Sequence, residues 1–222
     1  MSHQSAICEC GLSYAVGYPD DEAIHAEYHC EYLLGPQVSR VLRLPTIATK
    51  RSLRLVRTDV VGDDAVIQEE VLRAVEVAGR CTPEYPHGYY GPETAGDHRM
   101  YILVGEARAS AMVLIKYDKR FLKFTWKHDG RVELHDSNPL GNRAPKVARI
   151  WVAAANRRQG LAKWLVEKIS LNMGVEIGSF GWELPLTLDS GALVKSLCPE
   201  SFLGCGDCHS VQDTIDFFAA GS

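Results

Sequence analysis

At 222 residues, with 46% hydrophobic and 23% charged residues, the chain can bury one ordinary domain and carry a small extra module. A formal net charge of −4 offers nucleic acid no overall basic field and would suit a cationic substrate; no apolar run is long enough to cross a membrane. The opening MSHQSAICECG lacks signal-peptide architecture, so an intracellular chain is expected, with its seven cysteines serving metal ligation rather than a disulfide framework.

Residues 8 to 35 read CECGLSYAVGYPDDEAIHAEYHCEYLLG. Pro19 followed by Asp20, Asp21 and Glu22 starts a helix with acidic residues at its positive end, and Gly35 closes it. His25 and His29 are four apart and share a face of that helix, while Cys8 and Cys10 precede them in a loop-like stretch. Two thiolates and two imidazoles make a tetrahedral zinc set. A module of roughly 30 residues cannot fold on its own core, so the metal would supply its folding energy. The C-x-C spacing is tighter than the usual knuckle. That leaves Cys10, His25 and His29 as the firmest ligands and Cys8 or Cys30 as the fourth. The competing reading is a helix with two surface histidines and reduced cysteines nearby.

Residues 1 to 36 therefore read as a two-Cys two-His zinc finger, 37 to 51 as a linker, and 52 to 222 as a larger domain. Residues 53 to 56 open its sheet. Residues 63 to 77 form a helix, with Val66, Val71, Leu72 and Val75 on one stripe and Gly79 as its stop. Residues 81 to 98 are a Pro-, Gly- and Tyr-rich loop, whose Tyr85, His87, Tyr89, Tyr90 and Glu93 either grip a substrate or decorate a surface. Residues 100 to 104 and 111 to 117 pair antiparallel from a turn at Gly105-Glu106; a further hairpin joins 121 to 126 with 132 to 135 through Asp129-Gly130.

The stretch 147 to 153, VARIWVA, reads as a central strand covered on both faces. From Gly160 the period becomes helical: Ala162, Leu165, Val166, Ile169 and Met173 share a stripe until Gly174. Between strand and helix, Arg157-Arg158-Gln159-Gly160-Leu161-Ala162 places a glycine and two arginines before free helix amides, a seat for a pyrophosphate. The plainer reading is an ordinary turn with an arginine pair in solvent. A neighbouring strand over 175 to 183 and helices over 189 to 197 and 211 to 219 complete the chain. Cys198, Cys205, Cys208 and His209 would either hold a second zinc or stay reduced in a turn; C-x-x-C-H as a haem attachment would require export.

The turn fits the R/Q-x-x-G-x-G/A pattern of the GNAT acetyltransferases. Cys10-Gly11, Tyr14, Pro19-Asp20-Asp21-Glu22, His25, His29 and Tyr32-Leu33, followed by Arg149-Ile150-Trp151-Val152, Arg157-Arg158 and Ala162, resemble the cohesin (establishment-of-cohesion) N-acetyltransferase family. The resemblance is to a divergent member. The family's Ser before Arg-Ile-Trp-Val is Ala148 here, and its Ser-Asp-Pro-Thr segment finds its nearest match in Trp182-Glu183-Leu184-Pro185-Leu186-Thr187. It implies an α/β (α+β) GNAT fold, a mixed central sheet flanked by helices with a small N-terminal zinc finger. It further implies acetyl-CoA held by Ile150, Trp151, Val152, Arg157, Arg158, Gln159, Gly160, Leu161 and Ala162, with structural Zn2+ on Cys8, Cys10, His25 and His29. The acceptor would be a protein lysine, typically on a cohesin subunit. The location would then be nuclear, and otherwise cytoplasmic.

Acetyl transfer requires a neutral amine, whereas a lysine in water has a pKa of about 10.4, so a nearby group must take its proton. Glu183, at the end of the strand beside the donor, is the expected base. Glu167 lines up with the family's acidic helix residue. It lies roughly 10 Å along the helix from Gly160 and has Lys163 as a ready surface partner. Two rival functions stand beside a protein-lysine acetyltransferase. One keeps the reaction but acts on a small cationic amine, as an aminoglycoside-like resistance enzyme does. The other is a non-catalytic zinc-finger interaction module on a degenerate GNAT fold.

Overall fold

A computed structural model describes residues 5–59, 64–80, 98–136 and 143–220; the loop candidates Tyr85, His87, Tyr89, Tyr90 and Glu93 lie outside them. The first of two compact units comprises residues 1–96, 100–112 and 151–161. It opens with an antiparallel hairpin of β1 (Ser5–Ile7) and β2 (Ser13–Ala15), followed by helix α1 (Pro19–Leu34). Asp21 and Glu22 in the first turn of α1 accept the backbone N–H groups of Ala15 and Gly17 at 3.1 and 2.9 Å, tying the helix start to the hairpin. No α1 residue is fully buried, so this module has almost no core of its own.

Gly35 ends α1 at φ +88°, and a Cβ there would collide with the Ala109 carbonyl. Both the backbone conformation and the close approach therefore require glycine. Gly35→Ala is expected to destabilise the fold by about 2–4 kcal/mol, read as a lower urea midpoint at unchanged slope.

The stretch read as a linker contains a 3-10 turn at Val41–Arg43 and an edge strand, β3 (Thr46–Lys50), paired antiparallel with β4 (Leu53–Asp59). Its polar-rich sequence suits an edge, where little of a strand is covered. Helix α2 (Ala65–Arg80) runs through Gly79 rather than stopping there. Arg73 on α2 grips Glu31 of α1 with two parallel bonds, at 3.0 and 2.9 Å. β5 (Arg99–Gly105) and β6 (Arg108–Asp118) turn at Glu106 and Ala107, both at positive φ, as a two-residue hairpin loop demands.

The second unit comprises residues 97–99, 113–150 and 162–222. It carries the remainder of β6, then β7 (Leu122–Trp126), β8 (Val132–Asp136), β9 (Ala144–Val152) up to Ile150, and helix α3 (Leu161–Met173) from Ala162 onward. β10 (Gly181–Glu183), α4 (Leu188–Leu197), β11 (Ser201–Cys205) and α5 (Cys208–Ala220) follow. The main sheet is mixed, in the order β3-β4-β5-β6-β9-β10-β11-β7-β8. β9, β10 and β11 are parallel, and α3 and α4 make the crossovers that parallel neighbours need. Phe121, Phe124 and Phe202 are buried, and the rings of Phe124 and Phe202 stack 5.1 Å apart.

Two expectations need correction here. The strand expected over 175 to 183 is confined to Gly181–Glu183, after a 3-10 turn at Ile177–Ser179. The cysteine-rich end is no simple turn, because Ser201–Cys205 pairs with both β10 and β7. Gly204 hid that strand from a propensity reading. Its missing side chain leaves room for the Phe124 ring and for Leu184.

Candidate functional site

The hairpin and α1 bring four metal-ligand types together. Cys8 and Cys10 lie in the β1–β2 turn, closed by bonds from Gly11 N–H to the Cys8 carbonyl at 2.9 Å and from Cys8 N–H to the Leu12 carbonyl at 3.0 Å. Helical spacing puts His25 and His29 on the face of α1 turned to that turn. One ligand atom from each of Cys8, Cys10, His25 and His29 lies within 4.8 Å of all the others, and Cys8 Sγ is 3.2 Å from His29 Nδ1. Cys30 is not part of this group. Tyr14 stacks on His25 at 4.0 Å, and His25 Nε2 is buried without a hydrogen-bond partner. An unsatisfied buried ring nitrogen beside two thiols is what a tetrahedral cation would satisfy, so the residues fit zinc. Burial above all, with Cys8 adding, pushes the Cys10 thiol up.

The second assembly is the turn between β9 and α3. A 3-10 turn at Ala154–Asn156 leads out of β9. Arg158 and Gly160 then adopt positive φ, at +61° and +70°. These two left-handed residues turn the chain sharply into the first turn of α3, whose N–H groups have no intrahelical acceptor. No acidic residue in the first turn of α3 neutralises its positive end, and a Cβ at Gly160 would meet nothing within 4 Å. The space beside Gly160 is open, as phosphate binding at backbone amides requires. Leu161 and Trp151 are buried anchors, while Arg157, Arg158, Gln159 and Gly160 are exposed. Gln159 braces the turn by donating to the Ala155 carbonyl at 3.2 Å.

The third assembly lies wholly in the second unit. Register sets Lys146 beside Gly181 and Glu183 beside Cys205. The Lys146 ammonium, 8% exposed, bonds Glu183 Oε2 at 2.9 Å and Asp118 Oδ2 at 3.1 Å. Cys205 donates its thiol proton to Asp118 at 3.1 Å. Burial opposes charge on Asp118. Bonds from Cys205, Lys146 and the Lys119 and Arg120 amides outweigh it and hold the carboxyl at about 2. Burial, with Asp118 adding, pushes the Cys205 thiol up to about 11. Burial alone would lower Lys146, but the Glu183 carboxylate reverses this and the ammonium stays charged. At Glu183 the strand still pairs with β11, whereas its ladder with β9 reaches only Trp182↔Val147.

No family model and no curated protein sequence matches the chain. Among solved structures, the chain is similar to the xEco2 acetyltransferase domain bound to a CoA conjugate. The TM-score is 0.59 at 15% identity, over 73% of this chain and 96% of that one. A second structure of the xEco2 acetyltransferase domain matches with a TM-score of 0.52 at 16% identity, over 73% and 95%. The fold is that of the xEco2 acetyltransferase domain.

Within this xEco2-like fold, Cys8, Cys10, His25 and His29 converge, and Arg157 to Ala162 form one turn and helix start. Glu167 lies on α3, and Lys163, its expected partner, donates instead to the Ser196 carbonyl at 3.3 Å. Cys205 is engaged by Asp118 and Lys146, while the side chain of Cys208 lies outside the described residues. Lys146 was missed as the partner of Glu183, and with it Asp118 and Cys205, which bond to Lys146 and to each other. A lone lysine inside the apolar run APKVARIWV was the available signal, since a buried ammonium must have anionic partners.

Proposed function

We propose that the chain is an acetyl-CoA-dependent N-acetyltransferase with a structural zinc finger, acting on a primary amine, in the first place a protein lysine. One observation carries the reading: an open, positive-φ Gly160 at the acid-free start of α3, in a fold shared with an acetyltransferase domain bound to a CoA conjugate. Backbone amides between Arg158 and Ala162 bind the pyrophosphate, and Arg158 adds charge. Cys8, Cys10, His25 and His29 hold the zinc, which supplies folding energy to a module without a core.

The neutral amine attacks the acetyl carbonyl carbon; the C–N bond forms, the C–S bond breaks, and the sulfur leaves with the electron pair. Glu183 takes the amine proton, which passes to the departing thiolate. Lys146 fixes Glu183 by its Oε2, leaving Oε1 to accept. Glu183→Gln is expected to lower kcat about a hundredfold or more, with affinity for CoA unchanged. A kcat within about threefold of wild type would remove Glu183 from the base role.

The reaction itself is tested by CoA thiol release from acetyl-CoA, offering lysine peptides and a panel of small cationic amines in parallel. Acetyl-lysine by mass spectrometry is the expected outcome. Release with small amines alone would reassign the acceptor. No release and no thermal shift with acetyl-CoA would leave a non-catalytic zinc-finger module.

A further inference from the structure

We propose that the finger helix is a strut for the coenzyme turn, with Tyr32 a positioning residue that acts through Arg157. The proposal rests on the reading above, in which that turn holds CoA. Arg157 opens the turn, and its side chain is already engaged. Its Nε donates to the Val152 carbonyl at 3.1 Å, and a terminal nitrogen donates to the Tyr32 hydroxyl at 3.3 Å. The guanidinium carbon sits 5.1 Å from the centre of the Tyr32 ring. One side chain thus joins the last residue of β9, the turn and helix α1, all within the same compact unit.

Tyr32 is one helical turn beyond His29, with its ring 6.2 Å from the imidazole. His29 lies 5.5 Å from His25, which stacks on Tyr14. A row of rings therefore runs from the hairpin through the metal ligands to the guanidinium. Arginine suits its end because the rigid guanidinium fork donates to the Val152 carbonyl and the Tyr32 hydroxyl at once while its charge stays near the ring; a compact ammonium does not span both acceptors. Holding the turn before the ligand arrives lowers the ordering cost of binding. By linkage, an ordered finger strengthens coenzyme binding, and coenzyme strengthens the finger's hold on its metal by the same factor.

The test is a double-mutant cycle on the full-length, zinc-loaded chain, with CoA affinity measured by calorimetry. Tyr32→Leu and Arg157→Lys are each expected to weaken CoA about fivefold, ~1 kcal/mol at 1.4 kcal/mol per decade, and the double variant no further than either alone. Arg157→Lys keeps the charge, so an arginine acting only as a phosphate counter-charge would leave affinity near wild type. Wild-type affinity in zinc-loaded Tyr32→Leu, or losses that multiply to about twenty-five-fold, would overturn the strut while leaving the coenzyme reading intact. A wild-type chain that binds no CoA sinks both. Should Tyr32→Leu lose its zinc, Tyr32→Phe replaces it in the cycle. A smaller loss, again not additive with Arg157→Lys, supports the strut, and full additivity refutes it.

Discussion

Gly160→Glu is expected to weaken acetyl-CoA binding by at least about a hundredfold and to abolish turnover at ordinary coenzyme concentrations. Two effects combine. Gly160 has φ +70°, where a side chain costs roughly 1–2 kcal/mol of backbone strain. The new carboxylate would also stand beside the exposed amides of α3, take the place of the phosphates and repel them at close range. Gly160→Ala separates the two contributions. A Cβ there meets nothing within 4 Å, so alanine brings only the strain, a loss of about thirtyfold or less. Equal loss in both variants would mean that the backbone conformation, not the room beside it, is what the glycine provides. Calorimetric titration of both variants makes the comparison.

The second large effect concerns the metal. One zinc per chain is expected by elemental analysis, and His25→Ala or Cys10→Ser should reduce it to none. Structural zinc contributes on the order of 10 kcal/mol to folding a small finger, and α1 buries no residue that could compensate. Chelation should therefore remove the α1 contribution from far-UV circular dichroism and expose the amides of residues 19–34 to exchange. The half-buried tie from Glu31 to Arg73 and the exposed one from Tyr32 to Arg157 contribute on the order of 1–3 kcal/mol each, well short of the metal's share. A chain without zinc whose α1 remains protected would contradict the role. Two zinc ions per chain would revive the carboxy-terminal cysteines.

What was legible in the sequence follows from where the physics is local. The β9–turn–α3 stretch was readable because a change of period, a glycine and two arginines fall within a few residues. The finger helix showed itself by its acidic start, its closing glycine and two histidines at helical spacing. β3 and β11 were not legible. One is a polar edge, and the other contains a glycine whose value lies in the Phe124 ring packed against it, a contact between residues far apart in the chain. The surroundings of Glu183 were hidden for the same reason. Parallel pairing brings Lys146 and Cys205 beside it, and register cannot be read from any one segment.

The most direct measurement is a crystal structure of the chain soaked with CoA. The pyrophosphate is expected within hydrogen-bonding distance of amides between Arg158 and Ala162, over Gly160, with Arg157 still bonded to the Tyr32 hydroxyl. CoA bound elsewhere, or a turn left empty at saturating coenzyme, would contradict the account.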